Sequence, residues 1–418
     1  MSGLLKKKQR FSCNDILKIV SKYGTPLWVY DSNIIVKKIK ELSQFDVIRF
    51  AQKSCSNIHI LNLFYKYNVK IDAVSLGEIE RALISKYRFT MDQDVVFTSD
   101  IIERETLNKV VQYKIPINIG SIDMLEQVGK ISPGHNIWLR INPKFGHGHS
   151  KKTNTGGENS KHGIWDINLA FPYITKYNFK LIGLHMHIGS GVDYCHLKRV
   201  CKAMIDQVLQ CKFKIHVISA GGGLTVPYHC NDEPVNVKNY FFLWNKARKI
   251  ISNYLNRPIR LEIEPGRFLV AESGILVSEI RVIKKTNNRT FILVDSGFND
   301  LIRPAMYGSY HHISVIPRDG RCVNYDDTIE AVVCGPLCES GDVFTQNEYG
   351  DIKTRILPNV QIGDFLVFHD TGAYGASMSS NYNSRPLIPE ILFKDNEFHI
   401  IRRRQTMKEL LELEINCI

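Results

Sequence analysis

Lys53 ends the stretch Phe50-Ala51-Gln52-Lys53 and is a candidate for covalent chemistry. The preceding run, Val47–Ala51, is β-branched and aromatic and predicts a short strand. A lysine just past a strand's C-terminal end can sit in a walled pocket, lose its proton and attack a carbonyl. It can equally be one more solvated cation among 54 Lys and Arg. Leu184-His185-Met186-His187-Ile188-Gly189-Ser190 puts two histidines on one face of a strand. They read as a metal pair, as an aromatic wall on a flat cofactor with Ser190 and its glycine binding phosphate, or as core histidines.

Ala220-Gly221-Gly222-Gly223-Leu224 frees the backbone to aim N–H groups at an anion, or simply to turn tightly. In Leu261-Glu262-Ile263-Glu264-Pro265-Gly266-Arg267 the two carboxylates share a face, about 7 Å apart along a strand. They could form a glycosidase pair or a structural ion pair. The adjacent Arg267 argues instead for a carboxylate that keeps a cofactor's ring nitrogen protonated, beside an arginine that pairs with an anion. Leu301-Ile302-Arg303-Pro304-Ala305-Met306-Tyr307 reads as a helix start with Pro304 at its first position. Arg303 and Tyr307, four apart, could together grip a carboxylate. Cys338 and Glu339 stand in the turn-rich Gly335–Asp342, where the thiol is a candidate general acid or a small buried apolar residue. Tyr374 is held between glycines in Asp370–Ala376.

The elements that must position these groups fall into two kinds. Eight short apolar runs recur with helix-length stretches between them: Val47–Ala51, Val69–Val74, Val95–Thr98, Pro116–Ile119, Ile137–Ile141, Leu181–Ile188, His216–Ala220 and Ile259–Ile263. Near-continuous apolar strands alternating with helices predict parallel βα units, and eight of them fit a TIM (β/α)8 barrel. An open doubly wound sheet is the rival. In a barrel the polar signatures fall at the C-terminal strand ends, where catalytic groups belong. The polar connection Asn142–Gly163 is long enough to be a functional lid or a plain insertion. After Gly266 come Val277–Ile283, Thr290–Asp295, Thr328–Val333, Asp364–His369 and Glu390–Phe393, strands without long helices between them. They predict a mostly antiparallel β domain over 271–418, closed by a helix at Gln405–Glu414. The barrel is expected over 31–270. Residues 1–30, with a helix at Asn14–Tyr23 capped by Asn14 and a strand at Leu27–Tyr30, are free to pack with the β domain.

Bulk properties exclude several classes. At 418 residues the chain exceeds one ordinary core. Met1–Arg10 is basic but is followed by no apolar signal-peptide core, and no run approaches a membrane span. Ten scattered cysteines without a CxxC pair read as reduced thiols in a cytoplasm. The net charge of +12 is spread along the chain, which argues against a nucleic-acid face and for an anionic substrate or cofactor.

Taken together and in order, FAQK, HMHIGS, AGGGL, EIEPGR, RPAMYGSYHH, GPLCESGD and DTGAYGASM resemble the diaminopimelate decarboxylases, fold-type III pyridoxal-phosphate enzymes with a TIM barrel and a C-terminal β domain. The resemblance covers nearly the whole chain. It implies pyridoxal 5'-phosphate as cofactor, no metal, and decarboxylation of meso-2,6-diaminopimelate to L-lysine, the last step of lysine biosynthesis. By position, Lys53 resembles the lysine that holds the cofactor covalently, and His187 the histidine stacked on its ring. Ser190, Gly221, Gly222 and Gly223, with Gly266 and Arg267 nearby, match the cofactor cradle, and Glu264 the partner of the ring nitrogen. Arg267, Arg303 and Tyr307 match groups for the substrate's distal carboxylate, Glu339 for its distal ammonium, and Tyr374 lines both cofactor and substrate. Cys338 matches an acid that this family donates across a homodimer. The sequence departs at Ser54-Cys55 and at Phe97-Thr98-Ser99-Asp100, outside the residues just named. The nearest rivals are an ornithine or arginine decarboxylase, a metal-dependent barrel hydrolase using His185, His187 and Glu262, and a pyridoxal-phosphate-binding protein without turnover.

Overall fold

The structure is a computed structural model that describes residues 11–87, 94–146, 155–187, 189–191, 193–415 and 417. The chain divides into two compact units: 36–225 with 234–269, and 1–35 with 226–233 and 270–418.

Strand β1 (Leu27–Asp31) belongs to the second unit. The next eight close a parallel barrel in chain order: β2 (Val47–Ala51), β3 (Lys70–Ala73), β4 (Val95–Ser99), β5 (Ile117–Ile119), β6 (Asn136–Arg140), β7 (Lys180–His185), β8 (Val217–Ser219) and β9 (Arg260–Ile263). The ring closes where Val47 pairs Glu262 and Ile48 pairs Ile263. The TIM-barrel expectation therefore holds, and the open-sheet rival does not. Polar caps start the helices between the strands. Ser75, Ser121, Asp193 and Asn236 each accept a backbone N–H from the first turn that follows.

Strand register shows which side chains line the barrel. Ala51 pairs Asp72, Thr98 pairs Asn118, Arg140 pairs His185, and His185 pairs Ser219, which pairs Glu262. In parallel strands paired residues share a face, so an unusual share of the lining is polar and buried.

In the second unit a sheet runs β14-β13-β11-β10-β1-β16-β17, with β12 and β15 joined to it. Its strands are β10 (Gly274–Lys285), β11 (Thr290–Val294), β12 (Ile313–Ile316), β13 (Thr328–Cys334), β14 (Arg355–Pro358), β15 (Phe365–Phe368), β16 (Glu390–Lys394) and β17 (Glu397–Arg402). Most pairings are antiparallel; β1 with β16 and β11 with β13 are parallel. β12, β14 and β17 lie outside the strands expected from sequence. The last had a signal: Asp395 and Asn396 both take positive φ (53° and 63°), the two-residue turn that joins β16 to β17. The helix Cys13–Tyr23 packs Ile16 and Ile19 onto a core of Leu27, Val29, Ile275, Val277, Phe365, Val367 and Ile391. Its cap is Ser12, not Asn14. Ser12 and Asp15 form a reciprocal capping box, so the helix starts one residue earlier than the asparagine suggested. The final helix is Met407–Ile415. Among the described residues no helix is long and apolar enough to cross a membrane.

Candidate active site

In the barrel unit, Lys53 is the middle of a single 3-10 turn, Gln52–Ser54, directly after β2. The turn is pinned from several sides. Ser54 Oγ donates to the Ala51 carbonyl (2.9 Å), the Cys55 N–H to Gln52 O (3.0 Å), and Gln52 Nε2 to the Glu78 carbonyl (3.1 Å). Gly266 lies against the same turn: a Cβ there would come within 3.0 Å of Ser54 Oγ and 3.2 Å of the Ala51 Cβ. The glycine expected beside a cofactor thus also makes room for the turn that carries the lysine. Lys53 itself is exposed.

Past the end of β9, Glu264 is buried and accepts from His185 Nε2 (2.7 Å) and Ser219 Oγ (2.8 Å). Burial pushes its carboxyl up, but His185, Ser219 and the charge of Arg49 outweigh that and hold it below the usual range. It is an ionised carboxylate on a fixed mount. Glu262 does different work. It forms a buried ion pair with Arg49 at 2.5 Å and also meets the part-exposed Arg260 at 2.8 Å. With Glu262 so paired and His185 bonded to Glu264, the metal-hydrolase set of His185, His187 and Glu262 is not assembled. No group of potential metal ligands forms among the described residues.

His187 Nδ1 accepts from the Gly222 N–H (3.2 Å), which fixes an acceptor at that nitrogen. Burial, then the positive charges of Lys53 and Arg140, push its pKa well below the ordinary value, so the ring is neutral. The glycine loops after β7 and β8 lie together, with the Gly191 N–H donating to Gly223 O (3.0 Å). Two of these glycines are required. Gly221 has φ +61° and a Cβ there would stand 2.4 Å from Met186 O; Gly223 has φ +104° and a Cβ would stand 2.5 Å from Gly189 O. Ser190 sits half-buried in the first loop, and half-buried Arg267 opens the short helix Arg267–Val270.

The lining also holds groups that the sequence reading did not single out. Asp72 is buried, and its Oδ1 has no hydrogen-bond partner. Burial and the charge of Glu264 raise its pKa to about 7, against a hydrogen bond from Thr98 and the pull of Lys53. Glu78, whose Oε2 takes the Val74 N–H (2.8 Å), is likewise raised by burial to about 7. Arg140 is buried 3.8 Å from Asp100. The available signal was Asp72, an acid set between Ile71 and Ala73 in a short strand.

Asp100 bonds His162 and takes the Gly163 N–H (3.0 Å). Asn142 Oδ1 takes the N–H groups of Lys144 and Gly157, and its Nδ2 donates to Gly157 O and His162 O. The base of the long connection is therefore tied down; 147–154 lie outside the described residues.

In the second unit, Arg303 opens the helix Arg303–Tyr307, with Pro304 second rather than first. Its side chain is buried, with Nη1 2.9 Å from His311 Nε2 and the guanidinium 4.8 Å over the Tyr228 ring. Tyr307 is half-buried. Cys338 and Glu339 are exposed on a turn organised by buried Asp342, whose Oδ2 takes the Leu337 N–H (2.8 Å) and Oδ1 the Phe298 N–H (2.7 Å). The Cys338 N–H donates to Asn383 Oδ1 (3.1 Å). Tyr374 has φ +59° and is half-buried.

A closed parallel barrel with a lysine turn after its first strand, glycine loops after β7 and β8, and an ionised glutamate after β9 defines a site for a phosphorylated ring cofactor. A family model described as "Pyridoxal-dependent decarboxylase, pyridoxal binding domain" matches residues 32–271. The chain belongs to that family, in the branch of the diaminopimelate decarboxylases. It is 62% identical to the diaminopimelate decarboxylase of Buchnera aphidicola subsp. Schizaphis graminum, over 98% of this chain and 99% of that one. It is 58% identical to the Escherichia coli K12 diaminopimelate decarboxylase, over 97% of each. A solved diaminopimelate decarboxylase at 57% identity covers 99% of both chains with a TM-score of 0.96. The diaminopimelate decarboxylase of Helicobacter pylori complexed with L-lysine is 29% identical with a TM-score of 0.82, covering 95% of this chain and 98% of that one. Membership brings pyridoxal 5'-phosphate as cofactor, and the glycine loops at Gly221 and Gly223, packed too closely on Met186 O and Gly189 O for any side chain, are compatible with it.

Proposed function

We propose that the protein removes one carboxylate of meso-2,6-diaminopimelate as CO2 and leaves L-lysine, the closing reaction of lysine formation. The observation that carries the reading is Glu264, ionised and fixed by His185 and Ser219 at the end of β9. Bound pyridoxal phosphate would supply an electron sink for the pair left on the α-carbon when CO2 departs. Lys53 would hold the cofactor covalently and give way to the substrate amine. Glu264 would keep a proton on the ring nitrogen. Neutral His187 would lie on the ring face, with its orientation held by the Gly222 N–H. Ser190 and the N–H groups of Gly221–Gly223 would cradle the phosphate, with Gly266 and Arg267 beside it.

Specificity resides at the far end of the substrate. Arg267, Arg303 and Tyr307 would bind its distal carboxylate and Glu339 its distal ammonium, with Tyr374 against substrate and cofactor. Ornithine and arginine carry no distal carboxylate, so they bring nothing for the arginines to bind. Cys338 would return a proton to the α-carbon. Its exposure, with that of Glu339, supports a homodimer in which these two residues of each copy serve the other copy's site. The ten cysteines form no disulfide, which supports a reducing, cytoplasmic setting.

The test is incubation with pyridoxal phosphate and meso-diaminopimelate, ornithine or arginine, measuring CO2 and the amine product. CO2 and lysine from diaminopimelate alone are expected. Turnover of ornithine or arginine at a comparable rate, or full activity in Lys53→Ala, would sink the reading.

A further inference from the structure

Arg303 does not stand alone: its hold on His311 carries a tautomer assignment. A guanidinium offers only N–H donors, so His311 Nε2, 2.9 Å from Arg303 Nη1, must be an acceptor. On the other side of the ring, His311 Nδ1 lies 2.8 Å from the His369 carbonyl, which can only accept. The proton is therefore on Nδ1, and the imidazole is neutral. Tyr228 completes the mount, edge-on to His311 at 5.5 Å and beneath the guanidinium at 4.8 Å. Arg303 and His311 are both buried, so these contacts are made away from water.

We propose that His311, locked as the neutral Nδ1–H tautomer by the His369 carbonyl, is a positioning residue that sets the plane of the Arg303 guanidinium for bidentate capture of the substrate's distal carboxylate. The proposal rests on the assignment of Arg303 made above. The choice of residue follows from charge. An aspartate in this position would orient the guanidinium equally well but would neutralise it, and so compete with the substrate. A neutral imidazole takes one N–H of the fork without cancelling the positive charge that draws the ligand. The carbonyl of His369 matters as much as the ring, because without it the imidazole could turn a donor towards Arg303.

The experiment compares His311→Phe, which keeps ring volume and loses both hydrogen bonds, with His311→Asn, whose amide can still donate to His369 but does not reach Arg303. Holoenzymes are assayed for kcat and KM with meso-diaminopimelate. Equilibrium binding of 1,5-diaminopentane, which lacks the distal carboxylate that L-lysine retains, is measured in parallel. In both variants KM should rise about tenfold or more, as for loss of a charge-assisted hydrogen bond. Affinity for 1,5-diaminopentane should stay within about twofold, and kcat within about threefold. His311→Gln, which can offer an acceptor near the position of Nε2, should recover most of the loss. Equal weakening of both ligands, or an unchanged KM, overturns the proposal. If His311→Phe fails to fold, His311→Asn decides by the same criteria. Arg303→Lys separates the two levels. If it leaves discrimination between diaminopimelate and 1,5-diaminopentane intact, the assignment of Arg303 itself fails. If it abolishes discrimination while the His311 variants do not, only the role of His311 falls.

Discussion

Asp72 offers a test of the barrel's electrostatics that is independent of turnover. Its carboxyl is raised from an ordinary 3.8 to about 7 by burial and by the charge of Glu264. Below pH of about 4 the group is protonated in both the folded and unfolded chain and costs nothing. Between about 4 and about 7 the unfolded chain releases the proton while the fold retains it, so stability falls as pH rises. Above about 7 both states are ionised and the full penalty stands. At about 1.36 kcal/mol per unit, the shift bounds that penalty at about 4 kcal/mol. Asp72→Asn removes the charge but leaves a buried polar amide, so about half the bound, ~2 kcal/mol, is the expected gain at pH 8. The gain should fall below ~1 kcal/mol at pH 5. For a unit of this size, ~2 kcal/mol corresponds to a rise of about 4–8 °C in the barrel's thermal midpoint. Thermal unfolding of cofactor-free wild type and variant, followed from pH 5 to 8, reads this directly. A variant less stable than wild type by the same amount at every pH would show that Asp72 is ionised and well compensated in the fold. That outcome would refute the reasoning.

Gly221→Ala forces a Cβ to within 2.4 Å of Met186 O at φ +61°, so cofactor affinity should drop at least about tenfold in a spectroscopic titration. Glu264→Gln keeps one acceptor oxygen, for either His185 or Ser219, and removes the charge. Decarboxylation should fall on the order of 10²-fold while the cofactor remains bound, as seen by its absorbance. Ser12→Ala breaks the capping box and should cost about 1 kcal/mol in denaturant unfolding, with kcat unchanged.

The barrel was legible because each of its strands is an apolar run ending in a polar signature, and a parallel strand buried on both faces leaves that mark in one dimension. Lys53, Gly221–Gly223 and Glu264 stand at strand ends for the same reason. The short strands β12 and β14 were not legible: four residues each, they gain their order from neighbours far along the chain, as Ile313 does by pairing with Phe368. The polar lining was hidden for a deeper reason. Asp72, Arg140 and Ser219 each look like an isolated exception in a short strand. Only closure of the ring brings Asp72, Arg140 and Ser219 to Glu264 as one coupled set of charges and hydrogen bonds. Arg303 shows the same limit. Its motif named it as a ligand for an anion, but its plane depends on a histidine eight residues on and a carbonyl at residue 369. A motif can therefore name the group that meets the substrate. What holds that group, and in which protonation state, is settled by contacts that spacing along the chain does not encode.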